Sequence, residues 1–188
     1  MCAIYQLEME DVEEIRRIAR EITEKYGEEA ADRAFHSDFY PKSFAPVVGK
    51  RNQVLLLRWG IPLAGTAKPV FNTRSEGLAE KRFYRGMLGN RCLVPATAFY
   101  EWGSDRKKYR FRLPQAPFFY MAGLWRALRR PGEPADYRFT ILTTAPNRTV
   151  ARIHPRMPAI VLPQDGRAWL DGARQPEPLD AEMQVLEA

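Results

Sequence analysis

Residues Arg91–Trp102 read RCLVPATAFYEW. Apolar and aromatic side chains fill both ends of this stretch around Pro95-Ala96-Thr97, and the pattern predicts two short strands, Arg91–Pro95 and Phe99–Trp102. The same texture extends in both directions. Upstream it begins at Gln53, with strands expected at Val54–Leu57 running into Trp59 and at Pro69–Phe71; downstream it covers Tyr109–Leu113, Phe118–Trp125, Tyr137–Thr144 and Ala159–Leu162. Helical interruptions are expected at Leu78–Leu88, around Asn147–Ile153 and at Gln164–Leu170, where Trp169 and Leu170 supply the apolar face. The first third is different. Residues 1–7, MCAIYQL, suit a short strand, and the acidic residues that follow suit a helix start near Glu10. Val12, Ile15, Ile18, Ala19, Ile22 and Tyr26 then recur at helical spacing until Gly27. A second short helix is expected from Glu28 to about Phe35, and Pro41 and Pro46 hold the residues before them extended. Strands and helices in this mixture predict an α+β class, with one domain over residues 1–188 and a helix plus a weakly patterned tail over 163–188.

A chain of 188 residues with 45% hydrophobic content can bury one core without metal or disulfide support. Its 29 Lys and Arg against 23 Asp and Glu leave a formal charge of +6, which favours a polyanionic partner. Cys2 and Cys92 belong to no CxxC or Cys/His cluster, so no zinc site, disulfide framework or cofactor is expected. The acidic N-terminal region is the wrong chemistry for a secretory signal, and no apolar run is long enough to span a membrane. A soluble, cytoplasmic, monomeric protein is the expectation.

The position of Cys2 matters more than its identity. Once the initiator methionine is removed, the chain begins with a 1,2-aminothiol, whose amine can form a Schiff base with an aldehyde and whose sulfur can close a five-membered thiazolidine. An ordinary buried residue beside a strand is the other reading. Asn72 and Arg74 share a strand face by the two-residue period; the amide can orient a reacting group and the guanidinium can hold a phosphate, although a helix cap and a solvated Arg explain them too. Glu101 lies among aromatics that desolvate it toward acid/base use, or is simply a paired carboxylate on an edge strand, and Trp102 offers a stacking surface or plain core filling. His154 is stiffened by Pro155 and Pro158 and can exchange a proton near neutrality, although a lone histidine is more often structural; Arg156 faces the same way if the segment is extended and can then pair with phosphate. His36 is the histidine expected to be structural. Thr143 and Thr144 can add hydroxyl hydrogen bonds or simply pack a sheet.

Taken together these residues resemble the SOS response-associated peptidase family, known also for crosslinking abasic sites. The resemblance rests on Met1-Cys2, Arg58-Trp59-Gly60, Asn72 to Glu76, Arg91 to Pro95, Phe99 to Trp102, Ala122 to Trp125, Thr140 to Thr144 and His154 to Pro158, in the family's order over roughly residues 1–162. It implies an α+β domain with a bifurcated, barrel-like, mostly antiparallel sheet flanked by helices, and a basic cleft for single-stranded DNA carrying abasic sites. Cys2 matches the crosslinking nucleophile, Asn72 an active-site amide, Glu101 the acid/base carboxylate and His154 the assisting histidine. Arg74, Trp102, Arg156, Trp59 and Thr143 match positions near the DNA, and replication or repair proteins are the partner class such a role brings. The tag "peptidase" matches removal of the protein's own initiator methionine rather than general proteolysis. Departures are Ala3 and Ile4 where the family begins Met-Cys-Gly-Arg, His-Pro-Arg in place of His-Asp-Arg, and an altered Ile61–Lys68 loop. Two other functions fit the residues: a cysteine peptidase or amidase using Cys2 and His154, and a noncovalent single-strand binder in which Cys2 is incidental.

Overall fold

In the computed structural model, which describes residues 2–9 and 12–188 without the side chains of His36 and Ser37, the elements run in the following chain order. Strand β1 (Ile4–Glu8) leads into helices α1 (Glu13–Tyr26) and α2 (Glu28–Phe35), then strands β2 (His36–Phe39), β3 (Phe44–Val48), β4 (Val54–Trp59) and β5 (Asn72–Arg74). Helix α3 (Arg82–Arg85) precedes β6 (Arg91–Ala96), β7 (Ala98–Trp102), β8 (Lys108–Arg112), β9 (Phe119–Leu128) and β10 (Asp136–Thr144). A 3-10 turn at Val150–Arg152 leads to β11 (Met157–Pro158), β12 (Ile160–Val161), helix α4 (Gly166–Asp171) and β13 (Gln184–Glu187).

Helix α1 follows from its apolar stripe. Ile15, Ile18 and Ile22 are fully buried, and Gly27, at φ 89°, ends the helix with its N–H donating to the Thr23 carbonyl. The expected start near Glu10 lies outside the described residues.

The strands divide into two layers. One is an antiparallel sheet in the order β13-β8-β7-β1-β2. The other closes on itself, because β10 pairs with both β4 and β9 while β4-β3-β6-β9 completes the ring. Among the described residues only the β10–β4 and β10–β5 pairings are parallel. The bifurcated, barrel-like, mostly antiparallel α+β architecture expected from the resemblance is thus present. Closure is tight at Gly123, where a Cβ would stand 2.8 Å from Cys92 Sγ and 3.2 Å from the Thr140 carbonyl oxygen. A side chain there would wedge β9 away from β6 and β10.

Several local expectations shift. Pro46 does not exclude a strand: β3 pairs along its whole length with β4 but meets β6 in register only at Val48–Leu93, so the missing N–H falls on an unpaired edge. Val70 forms only a bridge with Ile61, and the strand begins at Asn72. The helix expected over Leu78–Leu88 shrinks to the single turn α3, with Gly77 at φ 68° before it and Gly86 and Gly89 after. The tail contributes β13, which pairs with β8 from Gln184–Arg112 to Glu187–Tyr109. Among the described residues no helix is long and apolar enough to cross a membrane.

Pairing along β10 positions the chemistry. On one side, β4 accompanies β10 as far as Trp59–Phe139; β5 then takes over at Asn72–Ile141. At the same end, Thr143 and Thr144 pair with Pro158 and Met157 of β11, which brings the His154–Arg156 loop beside β5. Strand β7 delivers Glu101 from the other sheet, where its antiparallel pairing with β1 runs through Ile4–Tyr100 toward Cys2.

Candidate active site

Four segments remote in sequence meet around Cys2. Its side chain is fully buried, and the thiol donates to the Ile4 carbonyl at 3.3 Å. Asn72 Nδ2 donates to the Cys2 carbonyl oxygen at 2.5 Å, so β5 grips the backbone of the residue that would react. The other amide atom, Asn72 Oδ1, is buried with no hydrogen-bond partner among the described residues. An orphaned acceptor of this kind costs stability and marks a place where a ligand donor could bind.

Glu101 is 1% exposed, and burial pushes its carboxyl up from 4.5 to about 7. Burial, reinforced by the negative charge of Glu101, pushes the Cys2 thiol well above its usual value, so the resting sulfur is protonated. His154 Nδ1 stands 3.6 Å from Glu101 Oε1. Burial lowers the imidazole from its usual 6.5, and the ring is neutral at pH 7. The same Nδ1 lies 2.8 Å from the Arg156 carbonyl oxygen and 3.2 Å from the Arg156 amide nitrogen. Protonated, it donates to the carbonyl; in the other tautomer it accepts from the N–H. Either way the Arg156 backbone orients the ring. A carboxyl that titrates near neutrality beside a neutral imidazole can give and take protons in both directions.

The sequence-derived DNA contacts separate into two groups. Arg74 is exposed at the end of β5, and Trp102, at 40% exposure, is accessible for stacking beside Glu101. Trp59 and Thr143, also expected near DNA, are instead buried in the fold. Trp59 is fully buried, with Tyr5 at 5.2 Å, Phe71 at 5.9 Å and Phe139 at 6.4 Å between ring centroids, and its Nε1 donates to the Phe71 carbonyl at 2.7 Å. A barrel core at this point needs a large apolar filler, and the motif serves that need. Thr143 is 1% exposed, with its carbonyl accepting from Arg156 Nη2 at 2.5 Å. Arg156 is more heavily engaged than its isolated motif suggests: Nη1 and Nη2 donate to the two carboxylate oxygens of Glu76, each at 2.8 Å. The side chain of His36 lies outside the described residues. The sequence placed Glu76 in the Asn72–Glu76 motif but gave it no role of its own. Tyr5 was also passed over, and its hydroxyl is buried with no hydrogen-bond partner among the described residues.

Comparison with known proteins now adds to this geometry. The family model described as SOS response associated peptidase (SRAP) matches residues 1–187. The chain belongs to this family. SRAP relatives include the abasic site processing protein YoqW of Bacillus subtilis strain 168, 35% identical in a 133-position alignment that covers 65% of this chain and 59% of that protein. The abasic site processing protein HMCES of Gallus gallus is 30% identical in a 181-position alignment that covers 72% of this chain and 54% of that one. The chain therefore spans less than two thirds of the length of these curated relatives. Among solved structures, a protein from Bacteroides thetaiotaomicron superposes with a TM-score of 0.81 at 21% identity, over 99% of this chain and 91% of its own. One from Bordetella bronchiseptica gives 0.77 at 19%, over 100% and 99%. At these identities the likeness establishes the SRAP fold alone.

Proposed function

We propose that this protein processes abasic sites in single-stranded DNA by trapping the ring-opened deoxyribose aldehyde on Cys2 as a thiazolidine. The observation that carries the proposal is the convergence of Cys2, Asn72, Glu101 and His154 from four separate segments on one buried point. The names of the relatives, abasic site processing proteins, supply the lesion.

The reaction begins with hydrolysis of the Met1–Cys2 peptide bond, which consumes one water, releases methionine and frees the Cys2 amine. This self-processing is the sense in which the family name "peptidase" applies. The amine then adds to the aldehyde carbon, and the resulting carbinolamine loses its hydroxyl as water to give a Schiff base. Glu101, partly protonated at neutral pH, donates the proton that makes the hydroxyl leave as water. The Schiff base formed this way is protonated; the Cys2 sulfur adds to its carbon, the C=N electron pair returns to the nitrogen, which keeps its one proton, and the thiol proton passes to the Glu101 carboxylate, restoring the carboxyl that began the step. His154 exchanges protons with Glu101 and with the sugar oxygen that opens or recloses the furanose. Asn72 holds the Cys2 carbonyl, and its orphaned Oδ1 is left to accept from the attacking amine or a sugar hydroxyl. Arg74 meets a backbone phosphate and Trp102 stacks on a neighbouring base. The buried, neutral thiol argues against a peptidase that depends on a resting thiolate.

The test is incubation with a single-stranded oligonucleotide bearing one abasic site, followed by a denaturing gel and intact mass. A covalent band lost in Cys2→Ala, retained in Cys92→Ala and absent with undamaged DNA is the expected outcome. Protein confirmed by mass to lack Met1 that still gives no band would refute the proposal.

A further inference from the structure

Glu76 lies outside the cluster that holds Cys2, yet it makes the best-formed ion pair near the site. Its two carboxylate oxygens each accept from a different nitrogen of Arg156 at 2.8 Å, the planar fork-on-fork arrangement that sets such pairs apart from ordinary surface contacts. The arginine is 15% exposed and the carboxylate 57%, so Glu76 caps the guanidinium from the solvent side. The hydrogen bond from Arg156, followed by the charges of Arg156 and Arg74, keeps the carboxyl of Glu76 below its usual value. Glu76 is itself tied down, since the preceding Ser75 N–H donates at 2.9 Å to the Thr143 carbonyl that also accepts from Arg156 Nη2.

What this anchors is the backbone of Arg156, the group that touches His154 Nδ1 on both its amide and its carbonyl side. The loop is pinned after Arg156 by the pairing of Met157 with Thr144, and Pro155 restricts it between the histidine and the arginine. The Arg156 side chain held by Glu76 and the backbone that orients the imidazole thus belong to one residue. We propose that Glu76 is a positioning residue for the reaction: by gripping Arg156 it sets where His154 meets Glu101. The inference rests on the function proposed above for its kinetic consequence, while the contact itself can be tested without it. A competing account makes Glu76 a stand-in for phosphate that DNA must displace from Arg156. The two differ in sign, because releasing a competitor speeds the reaction and loosening a positioning contact slows it.

The experiment compares wild type with Glu76→Gln in three measurements: crosslinking rate at saturating abasic strand, affinity for an undamaged strand of the same sequence, and the imidazole resonances of the two histidines. The substitution keeps the side chain's length and sits on the surface, so the fold persists; Glu76→Asp, which keeps the charge but shortens the reach, serves as the second variant. The expected result is a fall in rate of about tenfold to a hundredfold, the scale on which a small misplacement of a reacting group acts. Affinity for the undamaged strand should be unchanged or tighter, since a negative charge is lost. The His154 resonances should move, and Glu76→Asp should fall between. Unmoved His154 resonances would overturn the inference, as would an unchanged or faster rate. If wild type itself forms no crosslink, the function proposed above fails, and the resonance measurement still decides whether Glu76 positions His154.

Discussion

Replacing Glu101 by glutamine should stabilise the protein at alkaline pH while disabling it. The structure sets the size of the effect. Glu101 is 1% exposed and titrates near 7 in the fold against 4.5 for the free side chain, a difference worth about 3 kcal/mol when converted at 1.36 kcal/mol per unit. The sign follows from which state holds the proton. Below the unfolded value both states are protonated and the carboxyl costs nothing. As pH rises through 4.5 the unfolded chain releases its proton while the fold keeps it, so stability declines; above 7 the full penalty is present. Glu101→Gln removes the titration and keeps a similar shape. Urea unfolding of both proteins from about pH 4 to about pH 8.5 should therefore show the stability difference growing in favour of the variant by about 3 kcal/mol, most of it gained between 4.5 and 7. A flat difference across that range would show that the folded carboxyl titrates normally, and the account of Glu101 as a proton carrier near neutrality would fall with it. The same variant should give no covalent DNA band at any pH, because an amide cannot carry the proton.

Trp59→Ala should cost about 3–5 kcal/mol in denaturant unfolding, as truncation of a fully buried aromatic does, and a loss near zero would contradict its place in the barrel core. Arg74→Gln should lower the salt dependence of binding to undamaged single strands by about 0.7 in the log–log slope, with an unchanged slope ruling out a phosphate contact. Asn72→Ala, which removes the 2.5 Å hydrogen bond to the Cys2 carbonyl, should slow crosslinking by about tenfold at saturating DNA without lowering affinity for an undamaged strand. A rate equal to wild type would remove Asn72 from the site.

What the sequence determined by itself was the class of elements and the pool of reactive groups. The helical stripe of Ile15, Ile18 and Ile22 and the β texture around residues 91–102 are local patterns, and burial follows from them directly. The order of motifs was enough to name the family and the barrel, because those motifs are chiefly what packs the barrel: Trp59 in the core, and the Ala122–Trp125 run that carries Gly123 at the closure. A motif does not say whether its residues face the core or the solvent, and Trp59 and Thr143, expected near DNA, are buried.

Only the tertiary structure decided the rest. Strand β3 was hidden by Pro46, whose missing N–H is harmless only because no neighbour pairs there, and β13 exists because the edge of β8 supplies its hydrogen bonds. The basicity of Glu101 depends on burial, and burial is a property of the packed sheets rather than of its neighbours in sequence. The grip of Glu76 on Arg156 spans 80 residues. No local pattern can announce such a pair, because its energy arises only once β5 and β11 lie along the same end of β10.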